Sequence, residues 1–131
     1  MELHLKIIGG LFIVLALSHF FFPDYFNWKQ ELAYLSMINR QMAYVHLFFI
    51  ALAVFLVGLL CLVSSNELLN TPLGKRISLG LGLFWTVRLY FQFFVYSSKL
   101  WKGKAFETSV HVLFSMFWTY AGIVFILAYL R

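Results

Sequence analysis

The chain has 131 residues, 63% of them hydrophobic and only 11% charged, with a mean hydropathy of +0.86. Soluble domains carry about a quarter charged residues, so this composition excludes a water-exposed globular domain. The net charge of +5 does not point to nucleic acid. Apart from Arg88, the Lys and Arg residues stand at the ends of apolar runs, where they meet lipid headgroups.

Lys6, the apolar run Ile7 to Leu17 and the small-residue triplet Ala16-Leu17-Ser18 imitate a signal peptide. We read the stretch instead as a first membrane span, about residues 3–22, closed by the helix stop Pro23-Asp24. Gly9-Gly10 permits close approach of another backbone. Ser18 and His19 fall in the last turn, and His4 lies at the opposite membrane edge in contact with water.

Residues 24–38 mix Tyr25, Phe26, Trp28 and Tyr34 with Lys29, Gln30 and Glu31. Aromatics interleaved with charges suit a segment lying in the membrane interface, with a short helix from about Lys29 to Met37.

The second span, about residues 39–64, is built on the stretch Gln41 to Asn66, which has no charged residue and exceeds the roughly 20 residues a helix needs to cross a bilayer. Its Cys61 is the only cysteine. With no thiol or imidazole at metal-binding spacing, it reads as a small apolar side chain facing lipid or a neighbouring helix.

Ser65-Asn66 and Asn70-Thr71-Pro72 form a polar loop, and Lys75-Arg76 mark the next membrane edge. The third span, about residues 77–97, begins with Gly80 and Gly82 and carries Arg88 well inside. Lys99, Trp101, Lys102 and Lys104 make a short basic aromatic loop. The fourth span covers about residues 106–130 and starts near Glu107-Thr108.

The expected fold is therefore an all-α integral membrane domain over residues 1–131. It is a four-helix bundle running up-down-up-down, antiparallel, with both termini on one face (face A). The long interfacial segment and the lysine loop then share face B. Lys6, Lys75, Arg76 and Arg131 on face A nearly balance Lys29, Arg40, Lys99, Lys102 and Lys104 on face B, so the positive-inside rule does not orient the chain.

Ionisable groups at membrane depth are costly, and they usually face a protein interior. At 1.5 Å per residue, His19 and His111 lie about 6 Å inside face B, His46 about 9 Å, Gln92 about 10 Å and Arg88 about 16 Å. Three histidines and a glutamine on four different spans thus share one layer, with Arg88 just beneath Gln92 on the same side of its helix.

Converging imidazoles suit a zinc, copper or iron site formed by His19, His46 and His111, with Gln92 or Glu107 in outer contact. Two histidines facing one another would suit haem, with Arg88 as a propionate partner. Glu107 is the carboxylate expected to pair with Arg88. Trp85 and Trp118 lie deeper, beside Arg88 and Ser115, and their flat faces suit a planar hydrophobic ligand such as a quinone, sterol or porphyrin.

Two functional classes follow. In the first, the layer binds a metal ion or haem for redox or hydrolytic chemistry. In the second, the chain is a non-enzymatic channel or transporter subunit or an accessory helix bundle, its histidines structural or relaying protons. The expected partners are the lipid bilayer and further copies or a larger membrane complex, with Gly9, Gly10, Gly80 and Gly82 as packing points.

Overall fold

The computed structural model describes residues 1–95 and 103–131. All regular structure in these residues is helical. The helices are α1 (Glu2–Ser18), α2 (Phe22–Tyr25), α3 (Trp28–Glu31), α4 (Met37–Val63), α5 (Ser65–Asn70), α6 (Pro72–Phe94) and α7 (Ala105–Leu130), with 3-10 turns at His19–Phe21 and Leu32–Tyr34. Four stretches are long and apolar enough to cross a membrane: Glu2–Tyr25, Met37–Val63, Pro72–Phe94 and Ala105–Leu130. The end of the expected third span at Ser97, with Lys99, Trp101 and Lys102 of the basic loop, lies outside the described residues.

Three local expectations change. Pro23 does not end the first span. The helix tightens to a 3-10 turn over His19–Phe21, and Pro23 occupies the first turn of α2, where its missing N–H costs nothing. The chain reverses instead at Asn27, in the left-handed region at φ 55°. The interfacial helix is broken into α3 and a 3-10 turn, because Ser36 caps α4 and accepts from the Asn39 N–H at 3.4 Å. The polar loop after Val63 contains the helical turn α5.

Contacts divide the chain into two compact units, one formed by Lys6–Ser65 and the other by Met1–Leu5 with Asn66–Arg131. In the first unit, α1 and α4 run antiparallel, Gly9 meeting Gly58 and Leu62 while Phe12 and Ile13 meet Gly58. A Cβ on Gly9 would lie 2.7 Å from the Gly58 carbonyl oxygen, and one on Gly58 would lie 2.8 Å from that of Gly9. Only two glycines allow backbones this close, the close approach of small residues that joins membrane helices. Trp28 packs edge-on against Tyr44 at 5.5 Å, tying α3 to α4.

In the second unit, α6 and α7 form an antiparallel pair. Gly82 abuts Ile126, Thr86 lies beside Gly122, Trp85 stacks on Trp118, and Gln92 reaches His111. The buried residues of α7 (Ser115, Trp118, Ala121, Gly122, Val124, Phe125 and Ala128) all lie on one half of the helix circumference. Gly10 and Gly80, expected as packing points, have open space where a side chain would stand.

Candidate functional site

The polar layer resolves into a hydrogen-bonded chain on the α6–α7 pair. Arg88 Nη1 donates to Gln92 Oε1 at 3.4 Å, one helical turn along α6. The other end of that amide, Nε2, lies 2.9 Å from His111 Nδ1 on α7. A guanidinium can only donate, so Arg88 settles which end of the Gln92 amide is oxygen. With that orientation the amide nitrogen faces His111 Nδ1 as a donor, which matches the ring tautomer that carries its proton on Nε2. Gln92 is 8% exposed, so this ordering occurs in a buried setting where an unmade hydrogen bond costs about 1–3 kcal/mol.

Aromatic packing holds the chain in place. The Trp85 and Trp118 rings stack with centroids 4.7 Å apart and planes 7° from parallel. Phe114 stacks on Trp118 at 5.6 Å, and Phe93 meets His111 edge-on at 6.0 Å. The Arg88 guanidinium lies 5.4 Å from the Trp118 ring centroid, within cation–π range. Together these contacts hold a cation midway along an apolar helix against Gln92 and Trp118.

Two buried polar atoms beside this chain have no hydrogen-bond partner, Ser115 Oγ and Trp118 Nε1. Ser115 is one turn beyond His111 and Trp118 one further step along the same buried face. The indole N–H is a donor only, and a buried donor left unmatched by the protein is uncommon enough to call for an explanation.

The antiparallel register also explains where Glu107 goes. Gln92 is level with His111, so Arg88 is level with Ser115 and Trp118, on the far side of His111 from Glu107. The separation along the axis is about 12 Å. Arg88 thus meets Gln92 and Trp118 in place of the carboxylate expected to pair with it.

The histidines behave differently from one another. His19 Nδ1 lies 2.7 Å from the Leu15 carbonyl of its own helix, so that nitrogen carries the proton and donates. His46 is exposed on α4. His4, expected in water, has Nδ1 2.6 Å from the Tyr120 hydroxyl. Among the described residues no group of three or more His, Cys, Asp or Glu side chains is placed to hold a metal ion.

That Arg88 and Gln92 share one side of their helix was legible from i,i+4 spacing. The partner of Gln92 was not, since it depends on how α6 and α7 slide against each other. Comparison with protein-family models, with curated proteins and with solved structures returns no match.

Proposed function

We propose that this is a small multi-pass membrane protein that binds, without transforming it, an amphiphile whose head is rich in oxygen acceptors. The four spans run up-down-up-down with both chain ends on one face, a reading supported by the antiparallel α1–α4 and α6–α7 pairs. The carrying observation is the set of donors gathered on one seam. Arg88 lies over Trp118, the Gln92 amide facing His111 Nδ1 favours a ring proton on Nε2, and Ser115 Oγ and Trp118 Nε1 lie buried and unmatched.

Donors of this kind select acceptors. A carboxylate or quinone-type carbonyl would satisfy the indole N–H and the serine hydroxyl, and a carboxylate would also gain from the Arg88 charge. An ammonium head would find acceptors only in the Ser115 oxygen and the tryptophan faces, and the Arg88 charge would repel it. The planar stack of Trp85, Trp118 and Phe114 offers an apolar wall for the rest of the ligand.

The same tautomer argument weighs against a metal ion or haem held through His19, His46 and His111. A metal needs a lone pair, and the Nδ1 lone pair of His111 already takes the Gln92 N–H. Freeing Nε2 would move the proton to Nδ1, where it would oppose the Gln92 amide that Arg88 orients.

The test uses the full chain in lipid nanodiscs, titrated with brominated dodecanoate and with the matching brominated dodecyltrimethylammonium. Bromine quenches nearby tryptophan emission. Saturable quenching by the carboxylate alone is expected, weakened at least about fivefold in Arg88→Met and more mildly in Ser115→Ala, whose packing is otherwise preserved. Equal quenching by both heads, or quenching indifferent to both substitutions, overturns the reading and leaves the seam as structural glue.

A further inference from the structure

The turn from α5 into α6 is built to hold one shape, and it shapes a second site that the amphiphile reading does not use. Thr71 caps α6, its Oγ1 accepting from the Gly74 N–H at 2.9 Å and donating to the Glu67 carbonyl at 2.7 Å. Pro72 follows at the first helical position. A Cβ on Gly74 would stand 1.9 Å from the Glu67 carbonyl oxygen, so the fold of α5 onto α6 requires glycine there.

This corner delivers Asn66 and Asn70 from α5 and Lys75 from α6 to a polar cleft of about 470 Å³, which Glu2 and Arg131 also line. Glu2 opens the first span, Lys75 lies in the first turns of the third, and Arg131 follows the fourth. The cleft therefore sits where three spans end, at the depth of lipid headgroups. Its volume falls within the range of about 300–1,000 Å³ usual for ligand sites.

Its chemistry is specific. Lys75 and Arg131 outweigh the Glu2 carboxylate by one positive charge. Asn70 Nδ2 donates to the Asn66 carbonyl at 3.0 Å and to Asn66 Oδ1. With its oxygen occupied in this way, the Asn66 amide retains its N–H₂ end for a ligand. A monoanion with several acceptor oxygens matches one surplus charge, a guanidinium, an ammonium and an amide donor.

We propose that this cleft binds the phosphate group of an anionic phosphodiester headgroup or of a free phosphate. The test is native mass spectrometry of the full chain released from nanodiscs of equimolar phosphatidylglycerol and phosphatidylcholine, with and without millimolar inorganic phosphate. Phosphatidylglycerol is expected to remain bound selectively, and its retention to fall about tenfold in the Lys75→Gln/Arg131→Gln double variant. Lys75→Arg should keep it, and Arg76→Gln, which removes a neighbouring exposed charge outside the cleft, should leave it unchanged.

Retention that inorganic phosphate does not displace assigns the lipid as the source. Displacement, or binding of phosphate alone with the same dependence on Lys75 and Arg131, assigns a soluble one. Retention indifferent to the double variant, or reduced as much by Arg76→Gln, overturns the proposal.

Discussion

The two helix pairs of this protein solve the same packing problem by different means. Between α1 and α4 the contact is backbone on backbone, Gly9 against Gly58. The polar residues at the end of α1 turn back on their own helix, with both Ser18 Oγ and His19 Nδ1 bonded to the Leu15 carbonyl. Between α6 and α7 small residues also meet, but the seam then opens into a tryptophan stack and a side-chain hydrogen bond from Gln92 to His111. One pair is a plain backbone joint. The other carries buried polarity that a joint does not need, and the proposed ligand seat rests on that surplus.

Substitutions can break or sharpen this contrast, and a graded set separates the two seams. Gly58→Ala should be the most damaging, since its Cβ would meet the Gly9 carbonyl oxygen at 2.8 Å and a backbone atom cannot step aside. We expect a loss of about 3 kcal/mol, the upper part of the overpacking range, in denaturant unfolding of the detergent-solubilised chain. An unchanged midpoint would show that α1 and α4 do not rely on this contact.

Gln92→Leu comes next, at about 2 kcal/mol, because it strands the His111 ring nitrogen and removes the acceptor that steadies Arg88. If the seam were only glue, the pair Gln92→Leu/His111→Leu should recover most of that loss, since replacing both partners by apolar groups is nearly neutral. Recovery of stability together with loss of carboxylate quenching would separate structure from binding.

Gly82→Ala should cost about 1 kcal/mol. Its Cβ would lie 2.7 Å from Ile126 Cδ1, the movable end of a side chain, although the Ile126 backbone nitrogen at 3.2 Å limits the relief. Gly80→Ala should change stability by no more than about 0.5 kcal/mol, as nothing lies within 4 Å of the added atom. A large loss at Gly80 would instead reveal a partner seated on that face.

The contrast also shows how much of the site could be read in advance. Arg88 and Gln92 were recognisable as sharing one side of their helix, because four residues on one helix bring side chains together whatever the surroundings, while the partner expected for Arg88 was Glu107. Depth placed His111 in the same layer as Gln92, and the structure joins them. Depth placed His19 and His46 there as well, yet His19 bonds its own helix and His46 is exposed. Distance from the membrane edge specifies height along a helix and leaves its rotation open. Gly58 and Gly74 drew no notice in the sequence for the same reason, since nothing in a lone glycine says which backbone will approach it.

The amino-acid sequence by itself determined the solvent and the elements. Long uncharged runs must satisfy their backbone hydrogen bonds internally, so they form helices of membrane-spanning length, and charged residues collect at their ends. Tertiary structure alone decided which glycines become contacts, that Arg88 turns to Gln92 and Trp118 and away from Glu107, and that Asn66, Lys75 and Arg131 share a cleft. These outcomes depend on the register and rotation of one helix against another. Side-chain shape sets both through contacts between residues far apart in the chain, information that no local pattern of hydrophobicity or charge contains.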